Sequence, residues 1–279
     1  LHLAISKKNI VDTLLSKKIT AVSYELIEKN DQYPVLQSMS EIAGQLAVQI
    51  GERYLESDTQ NGRGILMGGI TGVAPAAVVI LGAGVVGFNA ARAAYARGAQ
   101  VIVLDNDLRR LRRIENNISK NITTVAANPY TIARGVKFAD VFIGAINLKG
   151  EKIPHLVSEE MVKTMKEGAV IVDVSIDQGG CVETSRLTSH SDPVFVEHGV
   201  IHYGVPNIPA LVSRTASYGL SNASIEYIEN IAENGLSNAL MGDDGLQKGV
   251  CTYRGNCTNQ TIAEIFNLEF RRLHVFSTN

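Results

Sequence analysis

A run of glycines between two apolar stretches is the part of this 279-residue sequence best suited to chemistry. Gly82, Gly84 and Gly87 form the pattern G-x-G-x-x-G, in which Val85 and Val86 precede the last glycine. In a turn from strand to helix, the first glycine permits a tight bend and the second lets a pyrophosphate approach the backbone. The third lets helix and strand pack closely, and the amides that begin the helix face the negative charge. The pattern predicts a dinucleotide-binding loop.

An acidic residue stands where such a loop needs one. Asp105 ends the next apolar run, at roughly the 20-residue distance typical of an acid that binds the adenosine ribose. A carboxylate there would repel a 2′-phosphate, which favours NAD over NADP. Asp105 could instead cap a helix or close a turn, and these roles can coexist with ribose binding. Four arginines between positions 109 and 113 weaken the preference for NAD slightly, although charge runs mostly form solvated helix faces.

Two further residues could handle protons. Asp177 follows the apolar run AVIVDVSI and precedes a glycine pair that permits a sharp turn. Ligands of open α/β folds bind at the carboxyl ends of the strands, so Asp177 could act as an acid or base there. Asp177 could also simply turn the chain, and Asp173, within the run, is expected to be structural. His2 lies among apolar residues, where a histidine is more often packed than catalytic.

The elements that must position these residues alternate along the middle of the chain. Strands are predicted by apolar runs at 76–82, 99–105, 139–145 and 168–175, and helices by the stretches at 88–98, 106–119 and 158–166. Continuous Val/Ile runs are typical of a sheet covered on both faces, and the alternation implies right-handed crossovers. We therefore expect an α/β fold with a doubly wound parallel sheet of the Rossmann type.

Long helical patterns at 40–57 and 218–236 flank this sheet and are candidates for struts between domains. We predict an NAD-binding domain over residues 36–214. Residues 1–35 and 215–279 are predicted to form the remainder of a discontinuous, incomplete substrate domain. Outside the long helices, the segments 1–35 and about 237–279 are too small to be a self-sufficient domain.

The composition limits the partners. A formal charge of −2 gives no support for nucleic-acid binding. The three cysteines form no C-x-x-C pair, which suits a reducing compartment, and no group of residues has metal-ligand spacing. The uncharged run from Gly72 to Ala91 is long enough to cross a bilayer, but proline and glycine divide it into strand, turn and helix. We expect a cytoplasmic protein that binds neither membrane nor nucleic acid.

Several dispersed motifs, in this order and spacing, resemble the alanine dehydrogenase family, which is related to the transhydrogenase α subunit. They are LHLA, MSEIAGQLA, GRGILMGGITGV, GAGVVGFNAARAA, VDVSIDQGGC and VPNIPALVSRTASYGLSNA. GRGILMGG and IDQGG look more like the alanine enzyme than like transhydrogenase. The resemblance implies a hexameric enzyme that interconverts L-alanine, water and NAD⁺ with pyruvate, ammonia and NADH.

The resemblance also implies roles for individual residues. His2 matches the family's active-site histidine, which contacts the carbonyl of pyruvate, and Asp177 matches its catalytic aspartate. Ser40 matches a residue that contacts the cofactor phosphates. Asn207 matches one that lines the pocket, with Ile208 where methionine is common in the family.

Chains of this family begin with a further segment, which supplies an arginine and a lysine that grip the substrate. The sequence contains neither position, so we expect these residues alone to turn over alanine poorly. Two alternatives to a complete enzyme are an NAD(H)-binding component that passes hydride to a partner, as in transhydrogenase, and a non-catalytic NAD-binding remnant. The pairing of His2 with Asp177 argues against the transhydrogenase component.

Overall fold

The chain forms two compact units. A computed structural model describes residues 8–57, 61–147 and 153–275. The larger unit is Ser40–Leu211, and the smaller unit combines Leu1–Met39 with Val212–Asn279.

Helices and strands alternate through most of the described chain. The helices are α1 (Lys8–Ser16), α2 (Pro34–Tyr54), α3 (Val85–Ala96), α4 (Leu108–Asn117), α5 (Pro129–Phe138), α6 (Glu159–Val162), α7 (Ser213–Gly242), α8 (Asp244–Lys248) and α9 (Gln260–Phe266). The strands are β1 (Ala21–Val22), β2 (Ala77–Leu81), β3 (Gln100–Asp105), β4 (Thr123–Ala126), β5 (Val141–Gly144), β6 (Val170–Asp173), β7 (Val194–Glu197), β8 (Val200–Tyr203), β9 (Val250–Tyr253) and β10 (Asn256–Cys257).

The larger unit is organised around a sheet with the strand order β4-β3-β2-β5-β6-β8-β7. Neighbouring strands are parallel except for the antiparallel pair β7–β8. All residues of β2, β5, β6 and β8 are buried, as expected of strands covered on both faces. The chain runs from β2 to β3 and β4 on one side and then returns to β5 on the other side. The topological switch point therefore lies between β2 and β5, and the predicted doubly wound sheet is confirmed.

The four predicted strands correspond to β2, β3, β5 and β6, but other parts of the sheet were not predicted. Strand β4 has the sequence TTVA and lies at the sheet edge without a fully buried residue, so it carries no strong apolar signal. The hairpin β7–β8 turns through His198 and Gly199, both with positive φ angles of 52° and 74°. The helix predicted at 158–166 is limited to the short α6.

A buried aspartate, paired with two partly exposed basic side chains, lies at the amino-terminal edge of this sheet. Asp140, directly before β5, accepts a hydrogen bond of 2.8 Å from the backbone N–H of Ala77. Its Oδ1 atom also lies 2.9 Å from the Lys166 ammonium and 3.2 Å from the Arg63 guanidinium. These contacts satisfy a carboxylate that would be costly to bury alone.

The smaller unit contains a three-stranded antiparallel sheet with the order β1-β9-β10. Its long helix α7 is interrupted at Gly235, where φ is 73° and ψ is 155°. Within the described residues, no helix is long and apolar enough to cross a membrane.

Candidate active site

The glycine-rich motif occupies the turn from β2 into α3, where the sequence placed it. Gly82 has a φ angle of 106°, and a Cβ atom on it would lie 2.5 Å from the carbonyl oxygen of Ala145. A Cβ atom on Gly87 would overlap the carbonyl oxygen of Gly82. Both positions therefore need glycine for the fold itself, the first for backbone conformation and the second for close packing of helix and strand.

Gly84 needs another explanation. Its φ angle of −66° is open to any residue, and a Cβ atom there would meet no described atom within 4 Å beyond its chain neighbours. The residue is the N-cap of α3 and offers no side chain to cap the helix, which continues with the half-buried Val85 and Val86. The open space in front of these first amides fits the close approach of an anionic ligand such as a pyrophosphate.

Asp105, the last residue of β3, is hydrogen-bonded to the glycine-rich turn. Its side chain is 4% exposed, and its Oδ2 atom accepts a hydrogen bond of 2.6 Å from the backbone N–H of Ala83. Its Oδ1 atom accepts one of 2.7 Å from Asp107 N–H, and Arg110 Nη1 lies 3.7 Å from Oδ2. The carboxylate is therefore held beside the loop by two backbone donors and one arginine.

The cap of α4 is Asp107 rather than Asp105, so Asp105 closes a strand-end turn and is not a helix cap. Asp107 accepts a hydrogen bond of 2.8 Å from the backbone N–H of Arg109. Hydrogen bonds from Arg109 lower the pKa of Asp107 to about 2. The arginines of α4 are exposed, in agreement with the prediction of a solvated helix face.

Helix α2 passes close to the start of α3. A Cβ atom on Gly44 would overlap the carbonyl oxygen of Val86 and lie 2.9 Å from the Cβ of Asn89. Ser40 precedes Gly44 by one helical turn and thus lies on the same face of α2. Ser40 is half-buried, and this register directs it to the side of the helix that faces the glycine-rich turn.

The loops that follow β5 and β6 are joined by hydrogen bonds that the sequence did not reveal. Ser175 accepts a hydrogen bond of 3.0 Å from Ile146 N–H and donates one of 2.8 Å to the carbonyl oxygen of Ile146. Gln178 Nε2 donates to Asn147 Oδ1 at 3.4 Å. The position of Ser175 directly after a buried strand was the available signal, but its partner in the next loop could not be read from sequence.

Asp177 and Asn207 come together at the same edge of the sheet. Asp177 lies in a 3-10 turn, Val174–Gln178, that follows β6, and Asn207 follows the adjacent strand β8. The backbone N–H of Asn207 donates a hydrogen bond of 3.4 Å to Asp177 Oδ2. Both residues are exposed, and Asn207 has a φ angle of 52°. An exposed carboxylate beside a ligand-accessible sheet edge can exchange protons with a bound molecule.

The structure assigns a position to His202 but not to the candidate catalytic His2. His2 lies outside the described residues. His202 is buried and stacked on Phe195, and its ring nitrogens are bonded to Thr184 Oγ1 at 2.8 Å and to the carbonyl oxygen of Val200 at 2.9 Å. Burial lowers the pKa of His202, and its packed, hydrogen-bonded ring has a structural role. Across the described part of the chain, no group of three acidic, histidine or cysteine side chains could hold a metal ion.

The edge formed by these loops has the arrangement of a ligand crevice. The glycine-rich turn follows β2, and Gly82 packs against the loop after β5 on the other side of the switch point. Open α/β sheets bind ligands at this location. Asp177 and Asn207 extend the same edge by the two next strands, β6 and β8.

The chain is similar to known proteins over most of its length. A family model described as "Alanine dehydrogenase/PNT, C-terminal domain" matches residues 47–260. An alanine dehydrogenase of Methanococcus maripaludis is 44% identical over 272 residues, which are 97% of this chain and 72% of that protein. An alanine dehydrogenase of Staphylococcus haemolyticus is 40% identical over 97% of this chain and 72% of that protein.

Solved structures give the same grouping. An L-alanine dehydrogenase has a TM-score of 0.90 and 42% identity, over 96% of this chain and 73% of that chain. A transhydrogenase from Sinorhizobium meliloti has a TM-score of 0.75 and 22% identity, over 90% of this chain and 72% of that chain, and shares the fold.

Proposed function

The chain belongs to the alanine dehydrogenase/PNT family, and we propose that it catalyses the reversible oxidative deamination of L-alanine to pyruvate and ammonia with NAD⁺ as oxidant. The family membership identifies it as an amino-acid dehydrogenase that uses a nicotinamide cofactor and a small-molecule substrate. The identities to alanine dehydrogenases, 44% and 40%, support this reaction over transhydrogenation, for which the similar structure is 22% identical.

One arrangement carries the proposal. The glycine-rich turn and the turn holding Asp177 lie at the same edge of one sheet, connected through the loop after β5. A dinucleotide on the first turn would extend along that edge toward the second. Asp177 would then meet the end of the cofactor at which hydride is transferred.

The residues around the glycine-rich turn fit a dinucleotide. Gly84 leaves room for the pyrophosphate at the start of α3, and Ser40 lies on the face of α2 that packs near this turn. Asp105 keeps acceptor capacity beyond its two backbone bonds, because a carboxylate has about four lone-pair sites. We assign the remaining lone pairs of Asp105 to the ribose hydroxyls, and an acid at this position favours NAD over NADP.

The reaction needs a group that moves protons. Oxidation of L-alanine removes a hydride, with its electron pair, from Cα and a proton from the amine, which leaves an imino acid. Water then adds to the imine carbon, and ammonia leaves to give pyruvate. When bound, NAD⁺ accepts the hydride. Asp177 accepts the proton in the first stage and handles the protons of the water and the departing amine in the second.

Other groups orient the reacting atoms. The Asn207 N–H donates a hydrogen bond to one oxygen of Asp177 and so restrains the carboxylate at the edge of the sheet. His2 is assigned by family resemblance to the carbonyl oxygen of pyruvate, where a donor would stabilise the developing negative charge.

The remaining assignments follow from the same membership. We assign residues 36–214 to NAD binding and residues 1–35 and 215–279 to the substrate domain. The protein is proposed to act as a homo-hexamer in the cytoplasm. Three buried free cysteines support a reducing compartment.

Formation of NADH from NAD⁺ and L-alanine tests the proposed reaction. The protein should be expressed from its complete coding sequence and followed by the near-ultraviolet absorbance of NADH. The proposal expects NADH to form with L-alanine and to be consumed with pyruvate and ammonium. Absence of both reactions in a folded protein that binds NADH would contradict it.

A further inference from the structure

Asp173, the last residue of β6, accepts hydrogen bonds from both ends of the turn that carries Asp177. Asp173 is 1% exposed, and its Oδ1 atom accepts a bond of 3.1 Å from Ser175 N–H. Its Oδ2 atom accepts bonds of 3.0 Å from Cys181 N–H and 3.2 Å from Val182 N–H. One buried carboxylate therefore closes the turn from within.

The surroundings of this carboxylate leave room only for glycine at two positions. A Cβ atom on Gly144 would lie 2.9 Å from Asp173 Oδ1 and would overlap the Cys181 sulfur. A Cβ atom on Gly180 would lie 2.9 Å from Asp173 Oδ2, and Gly180 also has a φ angle of 81°. The second glycine of the IDQGG motif is thus explained by the carboxylate that it packs against.

Such a carboxylate is costly to bury. Burial raises the pKa of Asp173, while hydrogen bonds from Val182 and Cys181 act in the opposite direction. An apolar side chain at this position would avoid the cost but would leave three backbone N–H groups without an acceptor. The Asp173 carboxylate therefore supplies the acceptors that the backbone N–H groups of this turn require.

We propose that Asp173 is a positioning residue, which holds Asp177 at the sheet edge in reach of the Asn207 N–H and of the substrate. This inference rests on the proposed function, because it assumes that Asp177 moves protons in the reaction. Misplacement of a reacting group by about 1 Å can cost roughly 100-fold in rate. Loss of the Asp173 bonds should therefore appear in kcat.

The substitution Asp173→Asn tests the proposal. The amide keeps the size of the carboxylate but puts an NH₂ group where an acceptor is needed, so it cannot satisfy all three donors. In the protein from the complete coding sequence, kcat should fall by roughly 10- to 100-fold. The dissociation constant for NADH should remain close to that of the unmodified protein. Hydrogen exchange should become faster either at the Ser175 N–H or at the Cys181 and Val182 N–H groups, whichever the NH₂ group faces.

A matched control separates positioning from general loss of stability. Asp140 is also a buried aspartate that accepts a backbone N–H, but it lies at the opposite edge of the sheet. Asp140→Asn should lower the melting temperature and leave kcat unchanged. If Asp173→Asn does not fold, Gly180→Ala carries the test, because its methyl group would press on the same carboxylate.

Two results would overturn the proposal. One is a kcat for Asp173→Asn equal to that of Asp140→Asn, and the other is a loss of NADH affinity as large as the loss of kcat. The double variant with Asp177→Asn should be no slower than Asp177→Asn alone, since Asp173 acts through Asp177. Full activity of Asp177→Asn would contradict the proposed function. An inactive Asp177→Asn with a fully active Asp173→Asn would contradict only the positioning role.

Discussion

The Oδ2 atom of Asp105 lies 2.6 Å from the backbone nitrogen of Ala83, so the end of β3 is hydrogen-bonded to the interior of the glycine-rich turn. This bond joins the two parts of the dinucleotide motif, the loop and the acid, which are separated in sequence. Asp105 is therefore both part of the loop's structure and the candidate ligand for the ribose.

The substitution Asp105→Ala should weaken NAD binding. It removes the proposed ribose acceptor and leaves the Ala83 N–H without its partner, and each lost charge-assisted bond is worth about 1.5–3 kcal/mol. We expect the dissociation constant for NADH, measured by fluorescence titration, to rise by at least roughly tenfold. Asp107→Ala is the control, because Asp107 caps α4 and is not assigned to the ribose. Equal affinities of Asp105→Ala and the unmodified protein would show that the ribose assignment is wrong.

Two glycines of the motif should respond differently to alanine. Gly84→Ala should fold normally, since its Cβ has open space and its φ is −66°, yet it should lose NADH affinity because the methyl group occupies the pyrophosphate position. Gly87→Ala should destabilise the larger unit by about 1–3 kcal/mol, because its Cβ would overlap Gly82. Thermal unfolding and NADH titration of both variants check this. A normal NADH affinity of Gly84→Ala would show that the pyrophosphate does not bind at the start of α3.

His202 should make stability depend on pH. Burial lowers its pKa in the folded protein, so between that value and about 6.5 the unfolded chain binds more protons than the folded one. The contribution of neutral, buried His202 to the free energy of unfolding is complete above a pH of about 6.5. It is lost as the pH falls through the pKa of His202 in the folded protein. Melting temperatures across this range should fall less steeply for His202→Gln than for the unmodified protein. Parallel pH curves for the two proteins would contradict the prediction.

The sequence predicted the parts of the site in which local residue types determine the backbone. The turn from β2 into α3 was predictable, because Gly82 and Gly87 are required by conformation and packing within one short segment. Asp105 was predictable as a site residue, but its bond to Ala83 was not, since that bond depends on the pairing of β2 with β3.

Contacts between loops that are distant in sequence could not be predicted from the sequence. The bonds of Ser175 to Ile146, and of Asn207 to Asp177, join segments about 30 residues apart and depend on the strand order. Asp173 was expected to be structural, but a single strand position does not reveal that its carboxylate closes the following turn. Strand β4 was missed because an exposed edge strand has little apolar content to detect.

The kcat of Asp177→Asn, measured together with NADH affinity, is the decisive test of proton transfer by Asp177. General acid–base groups contribute typically about 10²- to 10⁴-fold, so we expect alanine-dependent NADH formation to fall by at least about 100-fold. The NADH dissociation constant should stay nearly unchanged, because Asp177 lies away from the glycine-rich turn in sequence and follows β6, not β2. Asp192→Asn, a change of an exposed acid in the same unit, should leave both quantities unaltered. Full activity of Asp177→Asn would contradict proton transfer by Asp177 and remove this residue from the mechanism.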